Sequence, residues 1–251
     1  MRFEAGGQAI TVNIPDLPAL EAEITRRWQT GQGFALATLN LDHLAKLPGS
    51  APFRQAYDAQ DLVTADGNPI VWMARLAGRP VTLLPGSDLI LPLARLAVGQ
   101  GVTLGMVGST PDSLARAAAA LSAAVPGLRV VAQIAPPMGF DPDGAAADAV
   151  LDHLQAAGVR LCFLALGAPK QEILAARGRR RAPRIGFASI GAGLDFLSGT
   201  QRRAPAWVRR IAMEWVWRML RNPRRLALRY GRAALILPGH VMRSLSLRGK
   251  G

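Results

Sequence analysis

Short apolar runs alternate with longer amphipathic segments along the first 200 residues. An opening strand is predicted at residues 9–14, and a helix begins near Asp16, because Leu20, Ile24 and Trp28 recur at helical spacing after this capping residue. Further strands are predicted at residues 34–38, 61–64, 102–107, 129–132, 161–166 and 185–189, and further helices at 70–76, 88–98, 111–125, 144–157 and 170–180. Buried parallel strands are normally joined by crossover helices, so this alternation predicts a Rossmann-like α/β fold, a parallel sheet with helices on both faces.

Polar residues follow most of the apolar runs directly. In open parallel sheets, ligands bind beyond the carboxyl ends of the strands, so these residues are the candidates for chemistry. They are Thr38, Asn40, Asp66, Ser109, Thr110, Lys170, Gln171 and Asp195, together with the loop glycines Gly108, Gly139 and Gly167.

Two of these positions allow both a functional and a structural interpretation. Asp66 can act as a general base at the end of its strand, or it can form a turn and cap the next helix. The segment 105–112 resembles a strand-to-helix loop whose backbone N–H groups hold a diphosphate, but an ordinary tight turn before a capped helix has the same residues. The segment does not match the dinucleotide glycine fingerprint, and the chain has no P-loop motif.

The residue inventory excludes several kinds of site. The single cysteine, Cys162, lies in an apolar run, so the chain forms no internal disulfide, and a reducing compartment is expected. Of the three histidines, His43 and His153 are interpreted as surface or capping residues, and His240 lies near the C-terminus. The histidines and the cysteine do not have the spacing of zinc ligands. There is no G-x-S-x-G motif, and no metal and no cofactor is expected.

The first residues lack the charged head and apolar stretch of a secretion signal. The chain also has no uninterrupted apolar run of about 18 residues, as a membrane-spanning helix requires. Export and membrane spanning are therefore not expected.

Charge is distributed very unevenly. The net charge is +13, and twelve arginines and one lysine against the single acid Glu214 place +12 of it after Gln201. The sequence thus predicts a nearly neutral body, residues 1–200, and a basic appendage, residues 201–251, that meets an anionic partner.

The basic appendage also has apolar and aromatic residues at helical spacing. A helix is predicted from residue 204 to 221, ended by Pro223, and a second mixed segment covers 224–241. Apolar residues on one arc and Arg210, Arg218 and Arg221 on another are typical of a helix at a membrane interface. Two alternatives remain at this point: the apolar arc docks on the body, or the arginines bind nucleic acid. The tryptophans and leucines argue against a pure phosphate-binding arm.

Seven ordered motif blocks resemble the WecG/TagA/CpsF glycosyltransferases, family 26. The resemblance extends from about Thr38 to Tyr230 and includes Glu214-Trp215, Arg218 and residues 223–225. The blocks are Thr38-Leu-Asn40 with Asp42-His43, Ala65-Asp66-Gly67, Pro85-Gly-Ser-Asp88-Leu89, Gly139-Phe140, Gly167-Ala-Pro-Lys-Gln-Glu172, Gly191-Ala-Gly-Leu-Asp195-Phe-Leu-Ser-Gly199 and Arg203-Ala-Pro-Ala-Trp207.

The resemblance implies an inverting, metal-independent enzyme at the inner face of the cytoplasmic membrane. Such an enzyme moves a sugar from a UDP-sugar to a polyprenyl-diphosphate-linked saccharide in cell-surface polysaccharide synthesis. N-acetylmannosamine, its uronic acid and a hexose remain open as the sugar. A nucleotide-binding oxidoreductase is the alternative, although it lacks its glycine fingerprint and acidic ribose partner.

The resemblance also implies roles for particular residues. Asp66 matches the proposed general base, and Thr38, Asn40 and Gln171 match residues that line the same pocket. Gly139, Phe140 and Asp195 match positions associated with the nucleotide, and the loop at Gly108 is a candidate for the diphosphate. Arg210, Arg218, Arg221 and Arg224 are candidates for contact with the membrane or the diphosphate.

Two positions depart from the family pattern. Leu83 stands where many members have an arginine, so diphosphate or sugar contacts are expected to be made differently here. Phe140 replaces the usual tyrosine, which keeps an aromatic face and loses a hydroxyl group.

Overall fold

An antiparallel hairpin precedes the main sheet. The computed structural model describes residues 1–201, 204, 205, 207, 208, 213–221 and 223–248. Strands β1 (Arg2–Ala5) and β2 (Gln8–Thr11) form the hairpin, and the turn between them has two glycines, Gly6 and Gly7, with positive φ. The second strand overlaps the predicted strand at 9–14, whereas β1 is absent from the sequence prediction.

The continuous apolar runs form a six-stranded parallel sheet. Its strands are β3 (Phe34–Leu39), β4 (Leu62–Ala65), β5 (Leu104–Gly108), β6 (Val130–Ile134), β7 (Leu161–Ala165) and β8 (Gly186–Ser189). Their order across the sheet is β4-β3-β8-β7-β5-β6. Every residue of β3, β4, β5 and β8 is buried, as expected for strands covered on both faces. The sequence prediction of a Rossmann-like parallel sheet is confirmed.

The described helices include the six predicted in the first 200 residues, three short helices that were not predicted, and two helices of the C-terminal segment. They are α1 (Leu17–Gln29), α2 (Leu41–Lys46), α3 (Ala51–Asp58), α4 (Asn68–Leu76), α5 (Gly86–Gly99), α6 (Pro111–Ala124), α7 (Ala145–Ala156), α8 (Lys170–Arg181), α9 (Gly193–Leu197), α10 (Glu214–Arg221) and α11 (Pro223–Leu247). The predicted cap on α1 is present, because the Asp16 carboxylate accepts a hydrogen bond from the Ala19 N–H at 2.9 Å.

The core has three apolar clusters. One lies between the sheet and helices α1, α5 and α6, and a second packs under α7 and α8. The third joins the β1–β2 hairpin to α2, α3 and α4. Cys162 is fully buried in the second cluster, where burial raises the pKa of its thiol, so it serves as a packing residue.

The C-terminal helices differ from the prediction of one helix from residue 204 to 221. Trp207 and Val208 are helical as predicted, whereas Ala204, Pro205 and Met213 are not, and α10 begins at Glu214. Proline disfavours helical geometry at the residue before it, which accounts for Ala204. Pro223 does not simply end a helix: it is the first residue of α11, a position where its missing N–H costs nothing.

The second half of α11 packs on the body. Ile236, Leu237 and Val241 contact the third apolar cluster, and α11 lies against α2 and α4. Arg243 forms an ion pair with Glu4 of the hairpin at 2.8 Å. Within the described residues, no helix is long and apolar enough to cross a bilayer.

Candidate active site

The carboxyl ends of the parallel strands bring most of the predicted site residues to one rim. Asn40 follows β3 and Asp66 follows β4, and these two strands are neighbours paired through Leu39 and Ala65. Gly191, Gly167 and Gly108 lie at the ends of β8, β7 and β5 along the same edge. Strand order, rather than distance along the chain, therefore assembles the candidate site.

Asp66 and Asn40 form the centre of this rim. The Asn40 side-chain amide donates to the Asp66 carboxylate at 3.3 Å, and the Asp66 N–H donates to the Leu39 carbonyl at 2.7 Å. Helix α4 begins at Asn68 with Gly67 in the cap position, so the alternative interpretation of Asp66 as the helix cap is wrong. Asp66 is thus half-buried, with its backbone fixed by one hydrogen bond and its carboxylate by another, an arrangement that suits a general base.

Asn40 is itself fixed by the protein. Its side-chain oxygen accepts a hydrogen bond from the His43 N–H at 2.9 Å and so caps α2. Because the amide oxygen is used in the cap, the NH₂ group is directed to Asp66. Thr38, buried two residues earlier in β3, lies on the same face of the strand as Asn40.

The loop after β5 turns sharply into α6. Gly108 has a φ of 123°, and a side chain there would collide with the Ala165 carbonyl oxygen of β7. Ser109 has a φ of 55°, a conformation that non-glycine residues rarely adopt and that requires support from surrounding contacts. Thr110 then caps α6 through the Ser113 N–H. This geometry directs backbone N–H groups and the amino end of a 14-residue helix to the rim.

Asp195 of α9 is bonded to this loop. Its Oδ1 atom accepts hydrogen bonds from the Ser109 hydroxyl at 2.6 Å and the Ser113 hydroxyl at 3.2 Å. Its Oδ2 atom accepts from the Gln201 side-chain amide at 2.9 Å. In this structure the carboxylate therefore braces the β5–α6 loop, and contact with a nucleotide stays a prediction.

Gln171 links α8 to the loop after β8. Its side-chain oxygen accepts from the Gly191 N–H at 3.1 Å, and its NH₂ group donates to Glu172 at 2.8 Å. Glu172 is fully buried, and burial raises the pKa of its carboxyl to about 7 against the opposing effect of the Gln171 hydrogen bond. Sequence reasoning placed Glu172 in a motif but gave it no role.

Phe140 lies elsewhere than its predicted role suggests. Its ring is 5% exposed and packs in the apolar cluster under α7 and α8, so it presents no open face at the rim. The backbone carbonyl of Phe140 accepts a hydrogen bond from the Lys170 ammonium at 2.8 Å, and Gly139 before it has a positive φ of 82°. A stacking role for Phe140 stays a prediction that requires the ring to move.

His43 is the clearest correction at the level of single residues. It was interpreted as a surface or capping residue, but it is 4% exposed and its Nδ1 atom lies 2.6 Å from the Tyr57 hydroxyl. Its ring also meets Phe53 and Tyr57 in edge contacts at centroid distances of 5.5 and 6.0 Å. The sequence prediction missed this cluster because it contained neither α2 nor α3.

The structure describes only some of the C-terminal arginines that were predicted to contact the membrane or the diphosphate. Arg210 lies outside the described residues. Arg218 and Arg221 belong to α10 and Arg224 to α11, but their side chains lie outside the described part of the chain. Their contact with a membrane or a diphosphate stays a prediction.

Fold and site together define a Rossmann-like α/β protein with a braced carboxylate at the carboxyl rim of its sheet. Residues 8–250 match the Glycosyl transferase WecG/TagA/CpsF family, so the chain belongs to this family, as the seven motif blocks indicated. A relative from Bacillus spizizenii, named N-acetylglucosaminyldiphosphoundecaprenol N-acetyl-beta-D-mannosaminyltransferase, is 27% identical over 176 residues. The alignment covers 69% of this chain and 65% of the relative, slightly less than two thirds of its length.

Proposed function

We propose that this protein transfers an N-acetylmannosaminyl residue from a UDP-sugar to N-acetylglucosaminyl-diphosphoundecaprenol, with inversion at the anomeric carbon. The observation that carries the proposal is the Asn40–Asp66 pair at the carboxyl rim of a chain of this family. The name of the Bacillus relative supports the acceptor, the sugar and a β linkage.

In the proposed reaction, Asp66 acts as the general base. Its carboxylate takes the proton of the acceptor hydroxyl while that oxygen forms a bond to the anomeric carbon. The bond from this carbon to the phosphate oxygen breaks on the opposite face, and UDP leaves. One carboxylate suffices, because a single displacement inverts the configuration without a covalent intermediate.

The diphosphate of the leaving group needs donors that are in place before it departs. The backbone N–H groups around Gly108 and Ser109 and the amino end of α6 provide them at the β5 edge of the rim. The Asp195 contacts to Ser109 and Ser113 hold this loop in its strained conformation, which supports a binding site formed in advance.

A polyprenyl acceptor requires the enzyme to work at a membrane surface. On α11, Leu235, Pro238, Met242 and Leu245 are exposed and follow one another at helical spacing, opposite the arc that packs on the body. The last 50 residues carry +12. An exposed apolar stripe within a basic segment supports peripheral attachment to the anionic inner face of the cytoplasmic membrane.

A transfer assay tests the proposed function. Purified protein is incubated with a panel of UDP-sugars and a short-chain polyprenyl-diphosphate N-acetylglucosamine, and the lipid product is analysed by mass spectrometry. The expected result is the addition of one N-acetylhexosamine unit from UDP-N-acetylmannosamine. Failure of every UDP-sugar to react, or bound NAD(P) in the purified protein, would contradict the proposal.

A further inference from the structure

A buried group of polar side chains lies behind the Asn40–Asp66 pair. It consists of His43 from α2, Tyr57 from α3 and Glu172 from α8, each 4% exposed or less. Within the described part of the chain, the Oε2 atom of Glu172 is buried without a hydrogen-bond partner. Buried polar groups are costly for stability, so their position beside the candidate base calls for an explanation beyond packing.

Tyr57 is the centre of this group. Its hydroxyl and the His43 Nδ1 atom share a short hydrogen bond of 2.6 Å. Burial, and then the negative charges of Glu172 and Asp66, raise the pKa of Tyr57 well above its usual value. The phenol therefore stays protonated, and it acts as a fixed hydrogen-bond partner of His43.

A continuous series of contacts connects Tyr57 to the base. His43 lies in the first turn of α2, where its N–H donates to the side-chain oxygen of Asn40. The Asn40 NH₂ group then donates to Asp66. Tyr57 thus holds the ring of His43, and His43 belongs to the first turn of α2. The cap of this turn sets the orientation of the Asn40 amide.

We propose that Tyr57 is a positioning residue for Asp66, which it orients through His43 and Asn40. The inference rests on the proposed function, since it assigns Asp66 the role of the base. Loss of the Tyr57 hydroxyl would leave the apolar packing in place and let the α2 turn relax. The Asp66 carboxylate would then sample orientations in which proton transfer is slower.

The variant Tyr57→Phe tests this role. The ring and its edge contacts with His43 and Phe53 remain, so the protein is expected to fold. We expect kcat to fall about tenfold, the usual scale for one lost positioning contact, with the KM for the UDP-sugar within about twofold of wild type. Because both residues act in one series, His43→Gln in the Tyr57→Phe background is expected to cause little further loss.

Phe53→Leu is the matched control for packing. It trims the same aromatic cluster without removing a hydrogen bond, so it is expected to lower the melting temperature and leave kcat unchanged. A kcat loss in Phe53→Leu equal to that in Tyr57→Phe would overturn the proposal, because packing alone would then explain the effect.

A second readout does not depend on activity. In protein labelled with ¹⁵N-histidine, the ring nitrogen signals of His43 are expected to shift in Tyr57→Phe, while those of His153 and His240 stay in place. Wild-type protein that transfers sugar, together with a Tyr57→Phe variant of unchanged kcat, would overturn this inference alone. Wild-type protein that transfers no sugar would overturn the proposed function instead.

Discussion

Single residues at the rim are held by the protein on more than one side. Asn40 contacts Asp66 and the His43 N–H, Gln171 contacts Gly191 and Glu172, and Asp195 accepts from three donors. Such contacts fix side chains before a substrate arrives, which lowers the reorganisation needed in the transition state. The candidate site is thus organised by its supporting contacts as much as by the residues that meet substrate.

The buried carboxyl of Glu172, which accepts a hydrogen bond from Gln171, makes the stability of the protein depend on pH. Its pKa in the folded protein is about 7 against an ordinary value of 4.5, so the native state favours the protonated carboxyl. The stability it contributes is complete below about pH 4.5 and is lost as the pH rises through 7. The free energy of unfolding of Glu172→Gln, compared with that of wild type, is therefore expected to rise by on the order of 3 kcal/mol between pH 4.5 and 8.

Urea unfolding of wild type and Glu172→Gln at several pH values measures this gain. A difference in free energy of unfolding that stays constant from pH 4.5 to 8 would contradict the assignment of a raised pKa to Glu172.

At the scale of elements, sequence periodicity predicted most of the parallel sheet and its larger helices. The long amphipathic helices and apolar strands have strong patterns, and the rule for carboxyl ends placed Asn40 and Asp66 together. Helices α2 and α3 were missed because six and eight residues show little periodicity. Because neither helix was predicted, the sequence could not predict that His43 is buried. Its contact with Tyr57 also joins two different helices, which periodicity along the chain does not reveal.

Helix α11 also shows that the sequence pattern does not determine contacts between elements. Its mixture of leucines and arginines predicted an interfacial segment, but the sequence did not determine which arc faces the body. The structure places Leu237 against the third apolar cluster and leaves Leu235 exposed, two residues away on the other side of the helix.

Two serine substitutions on α11 are expected to have separate effects. Leu237→Ser loses apolar contacts with the body, so the free energy of unfolding is expected to fall by about 2 kcal/mol. Leu235→Ser changes an exposed residue and is expected to leave stability within about 0.5 kcal/mol of wild type while weakening binding to anionic vesicles. Thermal unfolding and vesicle sedimentation measure the two effects, and equal destabilisation by both variants would contradict the placement of α11.

At the scale of the whole molecule, attachment and catalysis are predicted to occupy different parts of the chain. The first 201 residues carry a net charge of +1 and contain the sheet, whereas +12 lies beyond them. Since α11 also packs on α2 and α4, the two helices that follow Asn40 and Asp66, the basic segment covers the elements behind the site. Residues 201–251 are therefore expected to affect activity as well as membrane binding.

Truncation after Gly199 tests this division. Full-length protein is expected to bind vesicles that contain anionic lipid, more weakly as salt increases, and the truncated protein is expected to lose this binding. The parallel sheet is expected to remain folded, as judged by circular dichroism. Binding of equal strength to duplex DNA and to vesicles, lost in the same truncation, would favour the nucleic-acid interpretation instead.

The central claim is that Asp66 removes the proton of the acceptor during transfer. Its most direct test is the single-turnover rate of sugar transfer from UDP-N-acetylmannosamine by wild type and by Asp66→Asn. The control is Asp152→Asn on α7, a half-exposed carboxylate that pairs with Arg181 at the end of α8. We expect Asp66→Asn to slow transfer by a factor of about 10²–10⁴, with UDP-sugar binding retained and the control equal to wild type. Transfer by Asp66→Asn at the wild-type rate would contradict the account.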